Sequence, residues 1–121
     1  MLKLVVSNII KDLGIPADLK GYRYIRYCIE LLIKDFDLMD STMNLYKAVA
    51  KKFNTTHTRA ERAIRHAIEV GWVRGDIDFE NKVFGYSVDS FKDKPTNSEF
   101  LATVADYVLI TQEDKVEKEG E

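Results

Sequence analysis

A stripe of small and branched residues at helical spacing follows a polar turn near the middle of the chain. The stripe consists of Ala60, Ile64, Ala67, Ile68 and Gly71. Because residues three and four apart share one side of an α-helix, the stripe predicts a helix with a closely packed face. Asn54 comes before it, directly after a helical segment ending at Phe53, and Asn tolerates the positive φ of a tight turn. Together these features predict a helix-turn-helix over about residues 43–73.

The same window is basic, although the whole chain has a formal net charge of −2. Residues 47–74 contain seven Lys and Arg, two Glu and no Asp. The side of the second helix opposite the stripe carries Arg59, Arg62, His66 and Glu69. A local surplus of cations on an acidic protein indicates a polyanion as partner, and DNA is the first candidate. The alternative is an ordinary solvated helix face with ion pairs such as Glu61 with Arg65.

Polar residues before apolar runs predict where the helices begin. The predicted caps are Asp18, Asp40–Ser41, Thr58 with Glu61, and Thr96 with Glu99, the last two as capping boxes. The resulting helices span about residues 3–13, 18–35, 41–53, 58–73, 76–84 and from 96 onward. The sequence therefore predicts an all-α fold, a compact bundle of about six helices that contains the helix-turn-helix.

Length and composition agree with one domain. With 121 residues and 45% hydrophobic content, the chain can bury one core, which we expect within residues 1–110. Residues 111–121 are charged, and we expect them to form a disordered tail. A single cysteine, Cys28, excludes an internal disulfide and suits a reducing cytoplasm. Its apolar helical surroundings favour a buried structural role over a reactive thiol.

The sequence offers little for an enzyme, a metal site, a cofactor or a membrane. Asp35, Asp37 and Asp40 resemble a hard-metal cluster but lack the Gly and the distal Glu of a calcium loop, so a helix-end turn is favoured. His57 and His66 have no ligands at zinc spacing. There is no phosphate loop or nucleophile elbow, and no stretch approaches the roughly 20 apolar residues of a membrane span. We predict a protein that is not an enzyme and binds no metal or cofactor.

Three strings of the chain are specific enough to compare with known families. They are AKKFNTT at residues 50–56, RAERAIRHAIE at 59–69 and KPTNSEF at 94–100. They resemble the C-terminal DNA-binding domain of the sporulation stage-zero response regulators, over about residues 5–110. The resemblance implies an all-helical effector domain that regulates transcription in the cytoplasm. It also implies DNA sites similar to TGTCGAA, often occupied as a head-to-tail dimer on tandem copies.

The resemblance assigns roles to particular side chains. Those implied to face base edges are Arg59, Glu61 and Arg62, the two arginines as guanine readers and Glu61 as a possible acceptor from cytosine. We expect a second group of residues to contact the DNA phosphates. The grounds are helical phase, the turn or the family position. This group consists of Lys52, Thr56, Thr58, Arg65, His66 and Lys94.

The chain also departs from the family pattern. Family proteins carry a receiver domain ahead of the effector domain, whereas here Met1 begins directly on the effector domain. An excised fragment and a naturally receiverless relative both remain open. Residues 75–88, where the resemblance implies contact with the sigma factor of RNA polymerase, differ from the family. The alternative function is therefore a protein-interaction module that modulates the full-length regulator or the sigma factor.

Overall fold

A computed structural model describes residues 2–85 and 94–120, with side chains as far as Glu113. The α-helices are α1 (Leu2–Asp12), α2 (Lys20–Lys34), α3 (Thr42–Phe53), α4 (His57–Arg74), α5 (Ile77–Phe84) and α6 (Asn97–Gly120). A short 3-10 helix, Phe36–Asp40, joins α2 to α3. The described residues form no strand, and the predicted all-α bundle of about six helices is confirmed.

Helix α2 lies at the centre of the bundle because two of its sides are apolar. It contacts α1, α3, α4 and α6. Its buried side chains are Tyr22, Tyr24, Ile25, Cys28, Ile29 and Leu32. Burial raises the pKa of the Cys28 thiol to about 12. The thiol therefore stays protonated and packs as a small apolar group, as its position in the sequence predicts.

Two glycines bring α4 into backbone contact with its neighbours. A Cβ atom at Gly21 of α2 would collide with the carbonyl oxygen of Ala63 in α4. A Cβ atom at Gly75, directly after α4, would lie 2.6 Å from the carbonyl oxygen of Leu13, in the turn after α1. Because a larger residue at either position must push backbones apart, these contacts fix both the side and the end of α4.

Hydrogen bonds at the helix starts test the predicted caps. The hydroxyl of Ser41 accepts a hydrogen bond from an amide in the first turn of α3 at 3.3 Å, as predicted. Thr96 and Glu99 form the predicted reciprocal capping box at the start of α6. The prediction that Asp18 caps α2 is wrong, because Leu19 is the N-cap residue. Leu19 packs against the core, so burial of its side chain fixes the start of α2.

Asp35–Asp40 forms the helix-end turn that the sequence favours. The carboxylate of Asp35 accepts a hydrogen bond from the amide of Asp37 at 3.1 Å and so caps the 3-10 helix. Within the described residues, no three His, Cys, Asp or Glu side chains are grouped as metal ligands. No described helix is both long and apolar enough to cross a membrane. Helix α6 continues to Gly120, and the domain limit at residue 110 stays a prediction.

Candidate nucleic-acid interface

Helices α3 and α4 form a helix-turn-helix joined by three residues, Asn54–Thr56. Asn54 has φ 52° and ψ 55°, the left-handed conformation that reverses the chain at the end of α3. The amides of Asn54 and Thr55 both donate to the carbonyl oxygen of Ala50, which closes the last turn of α3. The predicted turn at Asn54 is therefore confirmed, and Asn fits because its side chain tolerates this region better than most.

The first residue of α4 differs from the prediction. The N-cap is Thr56, whose hydroxyl accepts a hydrogen bond from the amide of Arg59 at 3.1 Å. The predicted capping box of Thr58 with Glu61 is wrong, because Thr58 already lies in the first turn of the helix. Glu61 instead pairs with Arg65, one turn later, at 2.9 Å between Oε1 and Nη1.

The two sides of α4 differ in burial, as the sequence predicts. The packing side is fully buried at Ala60, Ile64, Ala67, Ile68 and Gly71. The opposite side exposes Arg59, Arg62, Arg65 and His66, with Glu61 partly buried beside them. The side chains that the family resemblance assigns to base edges therefore belong to the first two turns of α4 and extend from a helix with a rigidly packed back.

The residues assigned to the phosphates lie around this face on three elements. Lys52 lies on α3, with its ammonium 5.8 Å from the centre of the Tyr27 ring, and Thr56 and Thr58 lie at the start of α4. Lys94 comes from the segment before α6, and its ammonium lies 3.2 Å from the carboxylate of Glu69 on α4. Two of the proposed cations, Arg65 and Lys94, therefore have carboxylate partners in the free protein.

One contributor to this interface, Asn97, is missing from the prediction. Its side-chain amide donates to the hydroxyl of Tyr46 on α3 at 3.1 Å and to the carbonyl oxygen of Glu61 on α4 at 3.2 Å. Asn97 is 9% exposed; its bond to Tyr46 is buried and its bond to Glu61 is partly buried. The first residue of α6 thus joins both helices of the helix-turn-helix. The only signal in the sequence is an amide residue directly after the Thr96 cap, which does not identify its partners.

Tyr46 receives its hydrogen bond in a buried position. Burial, as the largest cause, raises the pKa of its phenol, and the bond from Asn97 acts in the opposite direction. The Tyr46 hydroxyl therefore stays neutral and can accept from Asn97 at any physiological pH.

The comparison with known families agrees with this architecture. The family model described as "Sporulation initiation factor Spo0A C terminal" matches residues 6–108 of the chain. The match begins inside α1 and ends inside α6, so it includes the whole helix-turn-helix and the Lys94–Phe100 segment that supplies Asn97.

Proposed function

Because the chain belongs to the Spo0A C-terminal family of sporulation DNA-binding domains, we propose that it regulates transcription by binding duplex sites similar to TGTCGAA. This family is one of DNA-binding regulators and is not an enzyme family. The observation that carries the proposal is the position of Arg59 and Arg62, exposed in the first two turns of a helix whose other side is buried. An α-helix fits the major groove of DNA, and Arg can donate two parallel hydrogen bonds to a guanine there.

In this proposal Glu61 reads a base only after its ion pair changes. In the free protein its carboxylate is bound to Arg65, whose side chain is half-exposed. A DNA phosphate can take over the Arg65 guanidinium, because charge-assisted bonds from Arg to phosphate are strong and bidentate. The released carboxylate then accepts a hydrogen bond from a cytosine amino group. In the absence of DNA, the carboxylate of Glu61 remains paired with the guanidinium of Arg65.

We expect Arg62→Ala to weaken binding to a TGTCGAA duplex by about 1–3 kcal/mol and binding to random duplex much less. The measurement is fluorescence anisotropy with both duplexes at several salt concentrations. Arg74→Ala is the matched control, because Arg74 is exposed in the last turn of the same helix. Equal losses on both duplexes would show that Arg62 only contacts phosphate.

A second candidate function is docking onto the sigma factor of RNA polymerase, one form of the protein-interaction module that the sequence leaves open beside modulation of the full-length regulator. It is favoured by an exposed apolar pair at the junction of α4 and α5, where Val73 is 86% exposed and Ile77 is 62% exposed. Both lie at or next to the segment 75–88 expected to meet the sigma factor, of which residues 86–88 are outside the described part. We propose this contact as an addition to DNA binding. Val73→Ser with Ile77→Ser should reduce transcription in vitro while leaving affinity for the duplex unchanged.

A further inference from the structure

The start of α2 lies beside α4 and has no side-chain cap. Leu19, its N-cap residue, makes no side-chain hydrogen bond to the helix, and the first turn contains no acidic residue. The N-terminal amides of a helix without such a cap can bind an anion, and the helix dipole favours one there. Gly21, the second residue of α2, lies against the carbonyl of Ala63 in α4, so this helix start and α4 are in direct contact.

A cavity of about 550 Å³ opens at this position. Three cations line it, Lys20 and Arg23 from α2 and Arg59 from α4, together with the turn residues Asn54 and Thr55. No Asp or Glu lines the cavity among the described residues. None of the three cations forms an ion pair with a carboxylate of the described residues, whereas Arg65 and Lys94 do. Like charges held around one cavity repel each other, and an anion between them would remove that repulsion.

Tyr24 provides a second, independent sign of a ligand. The residue is only 5% exposed and lines the same cavity. Its ring packs on Phe53, 5.0 Å between centroids, which fixes its orientation. Its hydroxyl makes no hydrogen bond to the residues that the structure describes. The hydroxyl atom itself is not enclosed by protein, so it is available to a group bound in the cavity.

We propose that this cavity binds a phosphate group of the DNA backbone, held by Lys20, Arg23 and the hydroxyl of Tyr24. The assignment to DNA rests on the proposed function, since Arg59 at the edge of the cavity is also a proposed base reader. A phosphate fits because it accepts several hydrogen bonds and carries the charge that the cations lack. The site would anchor the duplex from α2, which lies outside the helix-turn-helix.

The test compares a variant that lacks Lys20 and Arg23, at the start of α2, with one that lacks a lysine at the end of α2. Lys20→Ala, combined with Arg23→Ala, should flatten the dependence of the binding constant on salt by about one unit per phosphate lost. Lys34→Ala, from the exposed last turn of α2, should leave the slope unchanged. Tyr24→Phe should weaken binding with little change in slope. Thermal unfolding of each variant shows whether the fold is retained.

Neutral methylphosphonate substitutions along the duplex identify the phosphate. One substitution should weaken binding to the original protein and have no further effect on the Lys20→Ala, Arg23→Ala double variant, because the contact is already lost. An equal slope for the double variant and Lys34→Ala, or the absence of any such phosphate, would overturn the proposal.

A last experiment distinguishes failure of the phosphate site from failure of the proposed function. Inorganic phosphate, titrated at constant ionic strength, should shift the amide resonances of Lys20 and Gly21 in the original protein and not in the double variant. If the cognate duplex is not bound but these shifts occur, the proposed function fails and the site takes a free phosphate. If the duplex is bound with unchanged slopes and no shifts occur, DNA binding stands and the phosphate site is refuted.

Discussion

Glu80 is a carboxylate that the fold buries without a partner. It lies on α5 at 6% exposure, and its Oε1 atom has no hydrogen-bond partner within the described part of the chain. Desolvation, and next the charge of Asp76, raises the pKa of Glu80. Because the pKa is higher in the folded than in the unfolded protein, the contribution of Glu80 to stability is greatest at low pH. It is lost as the pH rises through the folded-state pKa.

We therefore expect Glu80→Met to raise the free energy of unfolding by about 1 kcal/mol at neutral pH, because an unpartnered charge is removed. The gain over the original protein should be small in acid and grow as the pH rises. Thermal unfolding between about pH 4 and about pH 8 measures it. Asp106→Asn is the control, since Asp106 is an exposed carboxylate on α6. A gain that does not vary with pH would contradict the raised pKa.

Glu69 forms an ion pair with Lys94, one of the cations proposed to contact DNA phosphates. The 3.2 Å pair between them holds the ammonium of Lys94 beside α4, and Glu69 adds a negative charge close to the proposed phosphates. We expect Glu69→Gln to tighten binding to the duplex several-fold, because the cation is released and the repulsion removed. Anisotropy titrations of a double-mutant cycle with Lys94→Ala measure the coupling. The effect of Glu69→Gln should shrink in the Lys94→Ala background; an undiminished effect would exclude Lys94 as the mediator.

Two threonines near the start of α4 could cap this helix, and Thr56 is the one that does so in the structure. We expect Thr56→Ala to lower the free energy of unfolding by about 1 kcal/mol, because the hydroxyl of Thr56 caps the amide of Arg59. Thr58 lies two residues further along, inside the helix, so Thr58→Ala should change stability much less. Denaturant unfolding without DNA isolates this effect from any phosphate contact. A larger loss for Thr58→Ala would restore the cap predicted from the sequence.

Local patterns in the sequence were sufficient for the number and order of the helices and for the two sides of α4, but not for every helix start. The spacing of Ala60 to Gly71 predicted the buried side, and the identity of Asn54 predicted the left-handed turn. The start of α4 was misplaced because three threonines, Thr55, Thr56 and Thr58, can each cap a helix. Their order alone does not determine at which residue the turn that begins at Asn54 ends and α4 begins. A Glu three residues after Thr58 favoured the wrong one.

Contacts between distant residues could not be predicted in this way. Asn97 bonds to Tyr46 and to Glu61, which precede it by 51 and 36 residues. The cavity at the start of α2 likewise needs Lys20 and Arg23 to meet Arg59, which depends on how α2 packs on α4. Periodicity gives the face of each helix but not the register between two helices. The exposed side of a single helix was therefore accessible to sequence reasoning, and the contacts that join several elements were not.

At the scale of the whole molecule, affinity should depend on the number of sites in the DNA. We propose that the 121-residue protein is monomeric in solution, binds a single site weakly and binds tandem sites head to tail. The second copy is then held at high effective concentration beside the first. Analytical ultracentrifugation, with titrations on one-site and two-site duplexes of equal length, measures both properties. A stable dimer without DNA, or the same affinity per site on both duplexes, would contradict the proposal.

The backbone contact at Gly21 and Ala63 has a consequence for the nucleic acid itself. At this point α4 meets α2 without an intervening side chain, so the helix has little room there to tilt or slide. We expect the adjustment between partners to come from the duplex, through changes in groove width and bending at its flexible base steps. Base pairs that the protein never touches would then alter affinity according to how easily they deform.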